Sequence, residues 1–281
     1  MTMKIYAFAD EAGADLDTQV RALKTNKLDG LEIRNVDGKN VSDMTEEEAR
    51  EIRKRLDAEG LRVWSIGSPI GKVHIEKDDF DKHLETFRHT LDLADILGAD
   101  SFRLFSFYLP EGKDPGDYKE EVIDRMGRFA ELAKAHPVTL CHENEKGIYG
   151  DNAARCLDIL TALPAIKGIF DPANFIQCGQ DTLEAWKLLK PCIRYLHVKD
   201  ALADGSVVPA GEGIGNLPFI VRDFLSDGGS AFTIEPHLAV FSGLASLEKD
   251  GARSAVGKYE YESSMAAFCA ACTAFKKICS Q

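Results

Sequence analysis

The sequence predicts an α/β protein built as a (β/α)8 TIM barrel, and three observations carry that prediction. Eight short apolar runs of strand length alternate with amphipathic stretches of helical spacing. The strand–helix unit recurs about every 32 residues, a fair length for such a pair. The 281 residues hold eight units with little to spare, so one domain spanning 1–281 is expected. The rival is a doubly wound open sheet, whose glycine-rich phosphate turn should follow the first strand. This chain instead reads Ala9-Asp10-Glu11-Ala12-Gly13 there.

The first strand is expected at 4–8 and the second at 30–33, separated by an amphipathic stretch at 16–24. The Glu- and Arg-rich segment 45–59 reads as a helix, opened by the capping run Ser42-Asp43-Met44-Thr45-Glu46 and closed by Gly60. Strand three follows at 61–66, then a helix at 80–97 closed by Gly98. Strand four is expected at 101–107 with a helix at 118–135, and strand five at 138–142 with a helix at 153–163. Strand six at 166–170 leads to a helix at 182–189, and strand seven at 193–198 to one at 218–225. Strand eight at 231–234 and a last helix at 259–277 complete the series.

Composition narrows the possible partners. Acidic side chains outnumber basic ones, 46 to 34, for a net charge of −12. That balance argues against a protein living on nucleic-acid phosphates, which requires clustered Lys and Arg. The N-terminus runs straight into a strand, and no apolar run reaches the roughly 20 residues of a membrane span, so a cytoplasmic protein is expected. Seven scattered cysteines suit reduced thiols. Cys269 and Cys272 read as two small apolar residues on one helix face rather than as half of a metal or redox motif.

Barrel enzymes carry their chemistry at the C-terminal ends of the strands. Four consecutive strands end on polar residues here: His142-Glu143-Asn144-Glu145, Asp171-Pro172-Ala173-Asn174, His197-Val198-Lys199-Asp200 and Glu235-Pro236-His237. A charge at the end of an apolar run must be solvated, paired or bound to a metal. Glu143 (or Glu145 beside it), Asp171 and Glu235 converging with one histidine make an oxygen-rich set suited to Mn²⁺, Mg²⁺ or Co²⁺, with Zn²⁺ also admissible. Taken singly, Asp171 could equally cap the following helix, and His197 could be a satisfied core histidine.

On these motifs the sequence resembles the sugar phosphate isomerase/epimerase family of xylose isomerase-like barrels, over almost the whole chain. Pro209-Ala210-Gly211-Glu212-Gly213 is similar to that family's Gly-x-Gly loop. The resemblance implies a divalent metal held by Glu143, Asp171, His197 and Glu235, with Glu143 and Glu235 as the acid/base pair. It also implies a small sugar or sugar derivative as partner, and homo-oligomers are common in the family. One position departs: ketose 3-epimerases place a substrate-binding His where this chain has Asn174, which hydrogen-bonds but does not titrate. Endonuclease IV, a relative with a trinuclear zinc site, needs more histidines than the seven present.

The expected activity is isomerisation or epimerisation of a sugar, sugar phosphate or related polyol or keto acid. The metal would chelate the carbonyl and an adjacent hydroxyl while a carboxylate moves the neighbouring proton through an enediolate. A polyol dehydratase would use the same groups; a non-catalytic sugar-binding barrel would lack one of them. Further candidates for touching substrate are Glu32, Arg103, Glu145, Asn174, Lys199 and His237. Arg103 and Lys199 would suit an anionic group, or would pair internally with Glu145 or Glu32. His74 and the 68–72 segment are further candidates, and Phe8 and Trp64 are expected as apolar wall or core.

Overall fold

The structure is a computed structural model that describes residues 2–240 and 259–280. The last helix expected from sequence, at 259–277, falls within the described residues.

Eight strands close into a barrel: β1 (Lys4–Ala7), β2 (Gly30–Ile33), β3 (Arg62–Ile66), β4 (Ser101–Leu104), β5 (Thr139–Glu143), β6 (Lys167–Phe170), β7 (Ile193–Val198) and β8 (Ala231–Ile234). Each pairs with its chain neighbours, and β1 pairs with β8 to shut the ring. Every pairing around the ring is parallel. The helices are α1 (Leu16–Thr25), α2 (Glu46–Ala58), α3 (Phe80–Leu97), α4 (Lys119–Ala133), α5 (Ala153–Ala162), α6 (Pro172–Gln177), α7 (Thr182–Leu189), α8 (Leu217–Ser226) and α9 (Ser264–Cys279).

Local chemistry sets these boundaries. Thr45 and Glu48 exchange hydrogen bonds in a capping box that starts α2. Gly98, left-handed at φ 67°, ends α3 where the sequence places its stop. The last helix starts at Ser264 rather than at 259, because the Ser263 side chain accepts the Ala266 N–H and fixes the first turn there. The short α6 and the two-residue ribbons Asn35–Val36/Lys39–Asn40 and Asp200–Ala201/Val207–Val208 are additions to the sequence reading.

Strand four ends at Leu104, not at 107. Beyond it the chain leaves the barrel and pairs with the segment after β3: Phe105 N–H donates to Ile70, Phe107 to Gly71 and Tyr108 to Val73. Gly71 permits this approach. Its φ is +88°, and a Cβ there would lie 2.0 Å from the Phe105 carbonyl oxygen. Gly71→Ala is expected to cost on the order of 3 kcal/mol, combining left-handed strain with a backbone overlap. Urea unfolding tests this, and a loss below about 1 kcal/mol would show that the crossing relaxes without penalty.

The main core lies between barrel and helices, with Phe102, Phe87, Phe129, Phe107 and Phe80 linked in a chain of ring contacts. A separate apolar layer of Tyr6, Cys141, Ile169, Tyr195 and Ala231, with Trp64 against it, packs the lower barrel. Trp64 stacks on Tyr6 and meets Tyr195 edge-on, so it belongs to the core rather than to a substrate wall. All seven cysteines are free, and Cys269 and Cys272 lie on α9 with Cys272 buried. Among the described residues no helix is long and apolar enough to cross a membrane.

Candidate metal centre

Above the aromatic layer, the barrel mouth is polar and closed. Glu143 is the last residue of β5 and Asp171 directly follows β6; His197 sits in β7 and Glu235 directly follows β8. One ligand atom from each lies within 4.8 Å of all the others, and all four residues are buried. His197 Nδ1 stands 2.8 Å from Glu143 Oε1, 3.6 Å from Glu235 Oε2 and 3.9 Å from Asp171 Oδ2. The structure brings together Glu143 and not Glu145. The strand stops at Glu143, and Glu145 turns to Lys72 at 2.9 Å.

Asp171 serves two sides with its two oxygens. Its Oδ1 accepts the Asn174 N–H and caps α6, while Oδ2 faces the cluster, buried and without a hydrogen bond. Lys199 Nζ lies 2.8 Å from that atom and 2.9 Å from Glu235 Oε2. Arg103 donates to Glu143 Oε2 at 3.1 Å and to the Gly67 carbonyl. Both cations thus pair internally, with the clustered carboxylates themselves rather than with Glu145 or Glu32, and neither presents a free fork to a substrate anion.

Arg34, Asp10 and Glu11 of this layer escaped the sequence reading. Arg34 grips Asp10 through two bonds of 2.9 and 3.0 Å and reaches Glu11 at 3.1 Å and Glu235 at 3.2 Å. The signal was present: Arg34 lies two residues after Glu32 and so shares its strand face, and Asp10-Glu11 is a fifth acidic strand ending. His237, placed at φ 44°, donates its backbone N–H to Glu11 and holds Nδ1 3.2 Å from Glu11 Oε1 and 3.7 Å from Glu235 Oε1. Phe8 lies just past β1, with Arg34 4.4 Å and Arg103 4.9 Å from its ring and the His197 edge 5.3 Å away.

Two further residues expected at the substrate have protein partners. The Asn174 side-chain nitrogen donates to the Asn144 carbonyl, while Asn144 bonds both backbone groups of Asp171. Asn174 therefore fastens the exits of β5 and β6 to each other. Glu32 is fully buried below His197, with its oxygens on His197 Nε2 and the Tyr195 hydroxyl, out of reach of a substrate. His74 Nδ1 accepts the Glu76 N–H in its own loop. The glycine loop expected at 209–213 is pinned by Asp200, which accepts N–H bonds from Gly211, Gly213 and Gly215. A Cβ on Gly213 would stand 2.2 Å from Asp200 Oδ1.

The electrostatics favour a bound cation. Six buried carboxylates (Asp10, Glu11, Glu32, Glu143, Asp171 and Glu235) face three permanent cations (Arg34, Arg103 and Lys199) and His197, whose imidazole Glu143 and Glu32 push up to about 10 against its burial. An uncompensated excess of buried negative charge is costly. Burial, reinforced by Glu235 and Glu143, pushes the Asp171 carboxyl up to about 7 despite Lys199. Burial would also raise Glu143, but His197 and Arg103 outweigh it and hold Glu143 down to about 2. Glu235 is lowered well below the carboxylate range against the same burial, by Lys199, His237, His197 and Arg34. The three carboxylate groups and the imidazole, with Asp171 Oδ2 buried among them, fit a divalent cation with a preference for oxygen.

Acids and an imidazole gathered at the C-terminal mouth of a (β/α)8 barrel occupy the face where such barrels carry their active sites. The sequence profile described as "Xylose isomerase-like TIM barrel" matches residues 20–253, and the chain belongs to that family. No curated protein matches the sequence.

Solved structures share the fold at low identity. The zinc-bound IOLI protein superposes with a TM-score of 0.74 at 14% identity, covering 99% of this chain and 98% of that one. A xylose isomerase-like TIM barrel protein from Mycobacterium smegmatis, in complex with magnesium, gives 0.72 at 16%, covering 99% and 96%. The 3-keto-D-glucoside 4-epimerase of E. coli gives 0.71 at 14%, covering the whole of both chains.

Proposed function

We propose that this protein is a divalent-metal-dependent isomerase or epimerase. Its substrate would be a sugar, sugar phosphate or related polyol or keto acid, and its chemistry a proton transfer beside a carbonyl. The observation that carries this is the buried set Glu143, Asp171, His197 and Glu235, each offering one ligand atom within 4.8 Å of the others at one barrel mouth. Zinc and magnesium in two similarly folded proteins, and epimerase activity in a third, support the reading.

Glu143, Asp171, His197 and Glu235 would hold Mn²⁺, Mg²⁺ or Co²⁺, with Zn²⁺ also compatible with one nitrogen among oxygens. Such an ion supplies Lewis-acid polarisation of a carbonyl and its adjacent hydroxyl. The protein's own groups handle the proton. Glu143 and Glu235 project from β5 and β8, with β6 and β7 between them. Either carboxylate, when ionised, would accept a proton. Removal by one and return by the other inverts a carbon; removal and return by a single carboxylate moves the proton between neighbouring carbons. Arg103 and Lys199 hold Glu143 and Glu235 in place and compensate their charge.

Metal-dependent C–H exchange tests the proposal. A panel of ketoses and keto acids incubated in deuterated water with the Mn²⁺-loaded protein should show deuterium entering next to the carbonyl, followed by proton NMR. Exchange that needs no metal, or none with any substrate, would refute it. Loss of water from the substrate in the same spectra would instead identify a dehydratase.

A further inference from the structure

We propose that Glu32 is a positioning residue of the metal centre, fixing His197 so that Nδ1 faces the three carboxylates. The inference rests on the metal-site reading above and assigns Glu32 a role beneath the site, in place of substrate contact.

The geometry is a buried relay. His197 Nε2 lies 3.2 Å from Glu32 Oε2, and the other Glu32 oxygen accepts the Tyr195 hydroxyl at 3.0 Å. That hydroxyl stands 3.1 Å from Ser65 Oγ. Ser65, Tyr195, His197 and Glu32 have no solvent exposure. Among the described residues, the ion-pair contact of Glu32 is His197. A buried carboxylate with so little compensation is expensive to keep.

Its placement brings a specific benefit. A metal-bound imidazole carries one proton, and with Nδ1 given to the ion that proton would sit on Nε2, where Glu32 accepts it. With Nε2–H directed to Glu32, the Nδ1 lone pair points at the space bounded by Glu143, Glu235 and Asp171. The same carboxylate makes the imidazole a more basic ligand and locks its ring plane.

The barrel is irregular where this relay needs it to be. Its pairings shift register between Leu31 and Glu32 on β2, and again between Gly168 and Ile169 on β6. The first shift sets Glu32 opposite Ser65 instead of Trp64, and the second sets Ile169 opposite Tyr195. Such irregularities redirect side chains beside active sites. Here both fall on the pairings that carry members of the relay.

The test strips the full-length protein with a chelator and titrates Mn²⁺, reading free Mn²⁺ by electron paramagnetic resonance. Glu32→Gln keeps the size and an acceptor oxygen but removes the charge, and should weaken Mn²⁺ binding by about 10–100-fold. The visible spectrum of the Co²⁺ form should shift, because ligand basicity changes, which a purely structural role would not produce. Tyr195→Phe removes only the donor to Glu32 and should give a smaller loss in the same direction. It carries the test if Glu32→Gln does not fold. Mn²⁺ affinity within about threefold of wild type and an unchanged Co²⁺ spectrum, in whichever variant folds, would overturn the role of Glu32. A wild-type protein that binds neither Mn²⁺, Mg²⁺, Co²⁺ nor Zn²⁺ would remove the metal site itself, and this proposal with it.

Discussion

Glu235→Gln is expected to lower metal-dependent C–H exchange by about 10²–10⁴-fold, the range lost when a positioned acid or base is removed. Glu235 bridges the mouth: Oε2 meets Lys199 and the cluster, and Oε1 meets Arg34. Gln fills the same space but accepts no proton and turns an amide N–H₂ toward one of those cations. Metal affinity should fall together with the rate, since the substitution removes one of the anionic ligands. Glu143→Gln should behave alike. Glu145→Gln should change the rate little, because Glu145 is engaged with Lys72. Deuterium exchange followed by NMR, with bound Mn²⁺ measured by elemental analysis, reads all three variants. Exchange by Glu235→Gln within about tenfold of wild type would remove it from the chemistry.

The second large effect is on stability. Arg34→Met should destabilise the fold by about 3–5 kcal/mol, the cost of breaking a buried ion pair by deleting one partner. The Arg34 side chain is 1% exposed and bound to three carboxylates, Asp10, Glu11 and Glu235. Methionine can still cover Phe8 but leaves those charges uncompensated in a buried mouth. Adding Glu11→Gln to Arg34→Met should recover part of the loss, since the two sites share one network and their effects are not additive. Urea unfolding of the four proteins in the cycle measures this. A loss below about 1 kcal/mol, or strict additivity, would show that water already screens the mouth.

The fold was legible because its signals are local. Apolar runs, helical spacing and stop residues such as Gly98 are written in short windows, and all eight strands fall where those windows place them. Errors arose where a distant segment decides an element's end. The strand reading through 107 follows an apolar run, yet the chain beyond Leu104 pairs with residues 70–73. The Asp171 ending looks like either a cap or a ligand because one carboxylate has two oxygens, each with a different neighbour.

The sequence by itself determined the barrel and the arrival of Glu143 or Glu145, Asp171, His197 and Glu235 at one mouth, since strand alternation and chain order fix which strand end each residue occupies. Only the tertiary structure decided who pairs with whom. It assigned Arg103 and Lys199 to the carboxylates and Glu145 to Lys72. It placed Glu32 behind His197 and brought Arg34 to Glu235, a residue 201 positions away. The reason is distance: periodicity says which way a side chain points, but charge pairing is settled within a few ångströms. Those last ångströms depend on the closure of the ring and its two register shifts, features that belong to no single segment.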